Sequence, residues 1–456
     1  MKNAFLVALL FLTSLTFAQK TTFTIKYSEQ LAVYLFIENL SEHYPENVFK
    51  TEFQKSKYNS EKYKSLISKF DKLIVDYSFR FDEYPYGSKK NMQTNDLLKK
   101  NLIETNNLTD FKLRTSGLIP NQTLTDLSLC IEEFTDVYNE LIYNPNKGKF
   151  EKQLEDIIKY SKDNNITDFF ETGLLFYNSS WDNAIPFVAA FYPLPNSKGF
   201  TAQAFCNNFI SAIQTDLNSN KDLFSVMMHE TYHIVYDEQS FEVKTEIDNY
   251  FKENKSKCSN YAYQLMNEVL ATALGNGYVY EKLDGKPDPG DWYNRKYINL
   301  MAKQIYPLVK EYIDQKKSMD KNFIDTYIKL YEENFPDWIN ELDNIMTYRY
   351  VISENEGDLR KINQLFRYRS RTEFDSEITE NSINKMKNTP LTKIVIISKE
   401  NSEKFKLLKN DFPELKEWKV NTNKEFANKT LLSDKSQLII INQKDSTVDS
   451  LFKLIK

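Results

Sequence analysis

Histidine and cysteine are the scarcest reactive side chains in this chain, with three of each among 456 residues. Cys130, Cys206 and Cys258 are odd in number and form no CxxC pair, so cross-links cannot staple the fold. One disulfide is permitted, its partners are not readable from spacing, and unpaired core cysteines are the expected state. Ten glycines and 13 prolines are too few for a loop-rich all-β architecture. The net charge of −5 is spread over interspersed charges with no basic stripe, which excludes nucleic acid as a partner. No Gly-rich phosphate loop occurs. What is present is 41% apolar residues, 14% of the chain being aromatic, in a length sufficient for two or three globular domains.

One apolar run stands apart, at the N-terminus. Lys2 precedes apolar Ala4 to Phe17, and Thr16-Phe17-Ala18 places small residues at the −3 and −1 positions of a cleavage site before Gln19. The run is shorter than the roughly 20 apolar residues needed to cross a bilayer. Residues 1–18 are therefore expected to be a signal peptide, and the mature chain to be exported, periplasmic or extracellular, without a membrane span. No cysteine follows the run, so lipid attachment there is excluded.

Two of the three histidines fall in one string, His229-Glu230-Thr231-Tyr232-His233, which is HExxH. With histidine so scarce, roughly 0.003 chance occurrences are expected in a chain of this composition. On a helix, residues four apart share a face, so both imidazoles can point at one metal ion. Glu230 projects about 100° away, placed to handle a water at the metal without being a ligand. No Gly or Pro interrupts Asn220 to Tyr236. Ser219 and Asp222 read as a variant capping box, and Leu223, Phe224, Val226, Met227, Ile234 and Val235 recur at helical spacing.

A catalytic zinc site takes a third protein ligand and leaves one position open. No histidine follows His233, and His43 lies far upstream, where a surface position is expected. Cys258 is a possible ligand. Glu268 is the better candidate, as the sole charged residue between Cys258 and Tyr280. A helix from Ser259 or Asn260 to Leu274, stopped by Gly275-Asn276-Gly277, would bury that carboxylate, which then needs a partner. A zinc ion would be that partner.

HETYH followed by Asn267-Glu268-Val-Leu-Ala-Thr resembles the gluzincin metallopeptidases, and more closely uncharacterised secreted bacterial peptidases of that kind. The resemblance covers about Phe187 to Tyr297. It implies Zn²⁺ held by His229, His233 and Glu268, with Glu230 as general base, in a thermolysin-like core. It departs from that pattern at Thr272, where such enzymes carry an acidic residue that orients a ligand histidine. Asp237 is an alternative for that role. An oxyanion donor is also implied, and among Tyr278, Tyr280, Tyr293 and Tyr297 we single out Tyr293. The function expected is hydrolysis of peptide or protein substrates by a zinc-dependent endopeptidase. The alternatives are an inactive peptidase-fold protein binding peptides or glycans, which the intact Glu230 disfavours, and a zinc hydrolase of a non-peptide bond.

The fold class expected is α+β and predominantly helical. A strand at Thr21 to Lys26 opens a helical region, 19–177, with helices at Glu29–Asn39, Lys62–Phe79, Leu124–Tyr143 and Phe150–Tyr160, broken at Pro120 and at Asn144 to Gly148. The catalytic region, 178–350, carries strands Phe187–Tyr192 and Phe209–Ile213, then helices Tyr293–Gln315, Lys321–Glu333 and Pro336–Tyr348. A helical connector, 351–389, leads to a small βα accessory domain, 390–456, with strands Thr392–Ser398 and Gln437–Asn442 and a loop over Leu431–Ser436 and the Asn/Lys-rich stretch before it.

Overall fold

The computed structural model describes residues 20–89, 91–195, 201–217, 219–401 and 403–455; the expected signal peptide lies outside them. The protein is α+β and predominantly helical, as expected. Among the described residues no helix is long and apolar enough to cross a membrane.

A four-stranded sheet forms the central wall, in the order β1 (Phe23–Tyr27), β4 (Phe187–Leu194), β6 (Asn208–Gln214), β5 (Gln203–Phe205). β1, β4 and β6 are parallel, and β5 runs antiparallel along the edge. Every residue of β4 and β6 is buried, because both faces are covered. Successive side chains alternate between two cores. Phe187, Ala189, Phe191 and Phe209 join the core of the HExxH helix, while Val188, Ala190, Tyr192 and Ile210 join that of the N-terminal helices. β4 runs two residues further than expected, through Pro193. Its pairing with β1 ends at Phe191, so the proline has no amide to supply on that side.

The N-terminal helices differ from expectation in two places. The helix expected over Lys62–Phe79 is Glu61–Asp71. The Thr94 hydroxyl then receives the Tyr77 amide and donates to the Val75 carbonyl, drawing the chain into a hairpin of β2 (Ser78–Arg80) and β3 (Asn91–Gln93). Conversely, Asn144 to Gly148 does not break the chain's longest helical run. Asn121–Tyr138 continues through a wide π turn, Asn139–Tyr143, into Asn144–Asp163. A proline crowds the carbonyl one turn before it and lacks an N–H, and a π turn just ahead of Pro145 relieves both.

Beyond the HExxH helix, Lys296–Asp314 and Lys321–Asn334 are helical as expected. The third expected helix is instead two short turns, Pro336–Ile339 and Leu342–Ile345, and Tyr348 opens a strand. Residues 351–389 carry the helices Glu356–Leu365 and Glu380–Lys387, as a helical connector would, but also contribute strand. β7 (Tyr348–Ser353) and β8 (Arg371–Asp375) lie in one sheet with β9 (Thr392–Ile397), β10 (Phe426–Leu431) and β11 (Gln437–Asn442), ordered β10-β11-β9-β7-β8. All pairings are parallel except β10 with β11. β7 has no apolar run at its start because Arg349 is its second residue. That side chain is fully buried and donates to the Met346 carbonyl at 3.0 Å and to the Phe366 carbonyl. β10, read as loop, is a polar edge strand. All three cysteines are free, Cys130 and Cys258 being buried.

One acid-sensitive tie closes this sheet. Glu425 accepts hydrogen bonds from the Ser446 hydroxyl and from the amides of Ser446, Lys444 and Asp445, which hold its pKa down at about 2 from an ordinary 4.5. A depressed carboxyl stabilises the fold above its unfolded pKa and loses that contribution as pH falls toward the folded value. Glu425→Gln is therefore expected to lower the melting temperature at pH 7, with the gap from wild type shrinking between pH 4.5 and pH 2. Parallel melting curves across that range would contradict it.

Candidate metal centre

The HExxH helix spans Asn220–Asp237, as its uninterrupted apolar periodicity requires. Ser219 is its N-cap residue but makes no side-chain cap hydrogen bond, so the expected capping box is not formed. Asp222 still places negative charge in the first turn, where the helix dipole favours it. Leu223, Phe224, Met227, Ile234 and Val235 are buried, while Val226 is partly exposed. The helix packs against the edge strand β5 on one side and the helix bearing Glu268 on another.

The structure brings His229, His233 and Glu268 together, one ligand atom from each lying within 4.8 Å of the others. The two histidine Nε2 atoms are 3.2 Å apart, and Glu268 Oε2 lies 3.8 Å from His229 Nε2 and 3.6 Å from His233 Nε2. The rings stand nearly perpendicular, at 86°. His43 is exposed, as expected, and Cys258 is buried at the N-terminal end of the Glu268 helix, outside the cluster.

The Glu268 helix begins at Ser259 but does not stop at Gly275. Ser259–Thr272 passes into a π turn, Ala273–Val279, and on to Asp284, ending at Gly285 with φ +81°. Gly275 has a different task. A Cβ there would lie 2.6 Å from the His229 backbone nitrogen and Cα, so only glycine lets this segment press directly on the HExxH helix. The wide turn and the missing side chain together set the separation of the two ligand-bearing helices.

Asn267 orients His233: its Oδ1 lies 2.8 Å from His233 Nδ1. That residue immediately precedes Glu268 and was not singled out from sequence, although it stands in the quoted Asn-Glu string. Asp237 does not take the role. Its carboxyl is pushed up to about 6 by burial, with Lys89, His233 and Lys244 opposing. Thr272 Oγ1 and His229 Nδ1 are buried without a hydrogen-bond partner, though Asn276 and the Ala271 carbonyl lie close enough to His229 to favour its protonated form.

Burial raises the Glu268 carboxyl, but His233 and His229 outweigh it and hold the group at about 2. Burial and His233 together lower His229 to about 4. Glu230 is lifted to about 7 by burial, His233 opposing. A cation among the three donors would draw Glu230 down again, since positive charge favours the carboxylate. Tyr293, on the segment before the next helix, stacks on His229 with centroids 5.9 Å apart and rings inclined at 29°. Burial and then Glu268 raise its pKa, keeping the phenol protonated. Tyr297 is committed elsewhere, donating to Glu341 at 2.6 Å, and Tyr278 packs against Phe169. Tyr280 lies under Lys221. Tyr368, from the loop before β8, also reaches the site, touching Tyr293 and sensing Glu268. Nothing in its local sequence marked it.

Two imidazoles and a carboxylate form a donor set that suits a divalent metal such as zinc. The test of fit is Glu268 Oε2, a buried oxygen with no hydrogen-bond partner, directed among the histidine nitrogens. Such an oxygen costs about 1–3 kcal/mol if left unsatisfied.

Gly275→Ala forces the two helices apart. It is expected to destabilise the fold by about 1–3 kcal/mol and to reduce bound metal, read by thermal melting and elemental analysis; an unchanged metal content would refute the role given to Gly275. Comparison of the chain with family models, with curated proteins and with solved structures finds no match.

Proposed function

We propose that this chain is an exported zinc metallopeptidase of the gluzincin type, acting as an endopeptidase. The observation that carries the reading is the convergence of His229, His233 and Glu268 around an unsatisfied carboxylate oxygen, with Glu230 intact beside them. Zinc bound there would polarise a scissile carbonyl and lower the pKa of a water. Glu230 takes the proton of the attacking water on its carboxylate and delivers it to the leaving amine nitrogen. Tyr293, kept protonated, donates its hydroxyl hydrogen to the oxyanion that develops on the carbonyl oxygen. Asn267 fixes the ring orientation of His233.

Substrate alignment is also proposed. β5 is an exposed-edge strand, antiparallel to β6, that packs against the HExxH helix. An extended peptide adding to that edge would gain backbone hydrogen bonds while lying across the helix. This supports a thermolysin-like core, with the N-terminal helices backing the sheet.

The decisive experiment incubates the chain from Gln19 onward with a diverse peptide library and reads products by mass spectrometry. Wild type is expected to bind one zinc and cleave internal bonds, whereas Glu230→Gln keeps the zinc and loses activity by about 10²–10⁴-fold. Tyr293→Phe is expected to lower kcat by about 10²–10³-fold with little change in KM. A zinc-loaded wild type that leaves every peptide whole would favour a binding protein or a hydrolase of another bond.

A further inference from the structure

Arginine is scarce in this chain, at eight residues, and half of them line two cavities that flank one loop. The loop reads Phe366-Arg-Tyr-Arg-Ser-Arg371 and joins the helix Glu356–Leu365 to β8. On one side, Arg80 and Arg371 face a space of about 570 Å³ that reaches Asn267. On the other, Arg295 and Arg367 face a space of about 430 Å³ walled by Tyr368.

The two cavities differ in what their cations already hold. In the larger, Arg371 is tied to Glu373 at 2.7 Å and Arg80 to Asp82 at 3.3 Å, and Asp237 adds negative charge. In the smaller, Arg295 forms no ion pair among the described residues. Its Nη2 donates to the Asp343 carbonyl at 3.0 Å, and its Nη1 is buried without any partner. Arg367 is exposed and likewise forms no ion pair among the described residues. Lys296 pairs with Glu341, leaving Asp343 as the acidic residue in the lining.

A half-buried guanidinium without a carboxylate is costly, and here it is also pre-oriented. Arg295 lies 3.5 Å from the centroid of the Tyr368 ring, which fixes the plane of its fork. Tyr368 touches Tyr293, and Tyr293 stacks on His229, so two tyrosines link this cavity to the candidate metal centre. A planar, always-charged fork with one amino group unpartnered can take up a carboxylate.

We propose that the cavity between Arg295 and Arg367 is a carboxylate-binding subsite, and that the peptides this protein acts on are acidic there. The cleavage half of that statement rests on the metallopeptidase reading; the binding half does not. The carboxylate can come from a Glu or Asp side chain or from a peptide C-terminus, since the chemistry is shared.

The test uses the full chain carrying Glu230→Gln, with fluorescein-labelled peptides followed by anisotropy. One amidated peptide alternates Ala and Glu, a second replaces Glu by Gln, and a third is the Gln peptide with a free C-terminus. At low salt the Glu peptide, the free-acid peptide or both are expected to bind at least about tenfold tighter than the amidated Gln peptide. Whichever of the two gains shows whether a side chain or a terminus fills the site. That advantage should vanish in Arg295→Gln and shrink in Arg367→Gln, whose exposed position makes misfolding no excuse. Equal binding of all three peptides, or an advantage that survives both substitutions, overturns the subsite. An arginine-dependent preference in a protein whose wild type cleaves nothing would sustain the subsite and sink the peptidase reading. Indiscriminate cleavage by wild type would do the reverse.

Discussion

The convergence of His229, His233 and Glu268 depends on how closely two helices approach one another. HExxH fixes the relation between His229 and His233 within one helix, but Glu268 comes from another. Its distance from them is set by backbone contact at Gly275, where a single added carbon would meet the His229 backbone at 2.6 Å. A helix carrying two glycines within one turn would ordinarily fray. Here the π turn Ala273–Val279 is clamped in the core, with Ala273, Leu274 and Val279 all fully buried. Tertiary packing thus maintains what local propensity opposes.

The electrostatics of the centre follow from that proximity. Two imidazoles and a carboxylate held within 4.8 Å need one positive charge among them. A proton on His233 supplies it, Glu268 raising that group despite its burial. A divalent cation supplies it as well, but the two compete, because a ligating imidazole must be neutral. The same low-dielectric surroundings that make the triad demand a cation also lift Glu230 toward neutrality, the range in which a group can both accept and return a proton.

The cluster of His229, His233 and Glu268 was legible in the sequence because its signals are local: a five-residue motif in a histidine-poor chain, and one carboxylate in an otherwise uncharged apolar helix. The long helices were legible for the same reason. What escaped notice depends on distant partners. Gly275-Asn276-Gly277 reads as a stop signal unless one knows that a second backbone lies against it. Pro145 reads as a break unless the π turn before it is known. β7 hides a fully buried arginine that looks like a surface residue, and β8 and β10 are polar edge strands without the apolar alternation that marks a half-buried one. Asn267 was visible within its string, but its role needed the ring it faces. Tyr368 belongs to a loop whose relation to the centre arises only from the fold.

That last residue changes how the C-terminal sheet should be regarded. Expected as an accessory module, it is fastened to the first turns of the Glu268 helix. Asn260 and Gln264 both donate to the Pro390 carbonyl, at 2.9 and 3.1 Å, and the Tyr261 hydroxyl meets Thr392 at 2.9 Å while receiving the Gln437 amide. Lys435 donates to Ser259 Oγ and to the Lys252 carbonyl, tying the start of that helix to the end of the preceding one. Asn260, Tyr261, Thr392 and Gln437 are buried, where a satisfied hydrogen bond is worth most and a broken one costs most. The polar face of the helix at 260 and 264 therefore answers to the C-terminal sheet, and the next turn of the same face carries Asn267, which holds His233. His233, Glu268 and the sheet that steadies the Glu268 helix form one mechanical unit, so the candidate centre rests on the C-terminal sheet as well as on the HExxH region.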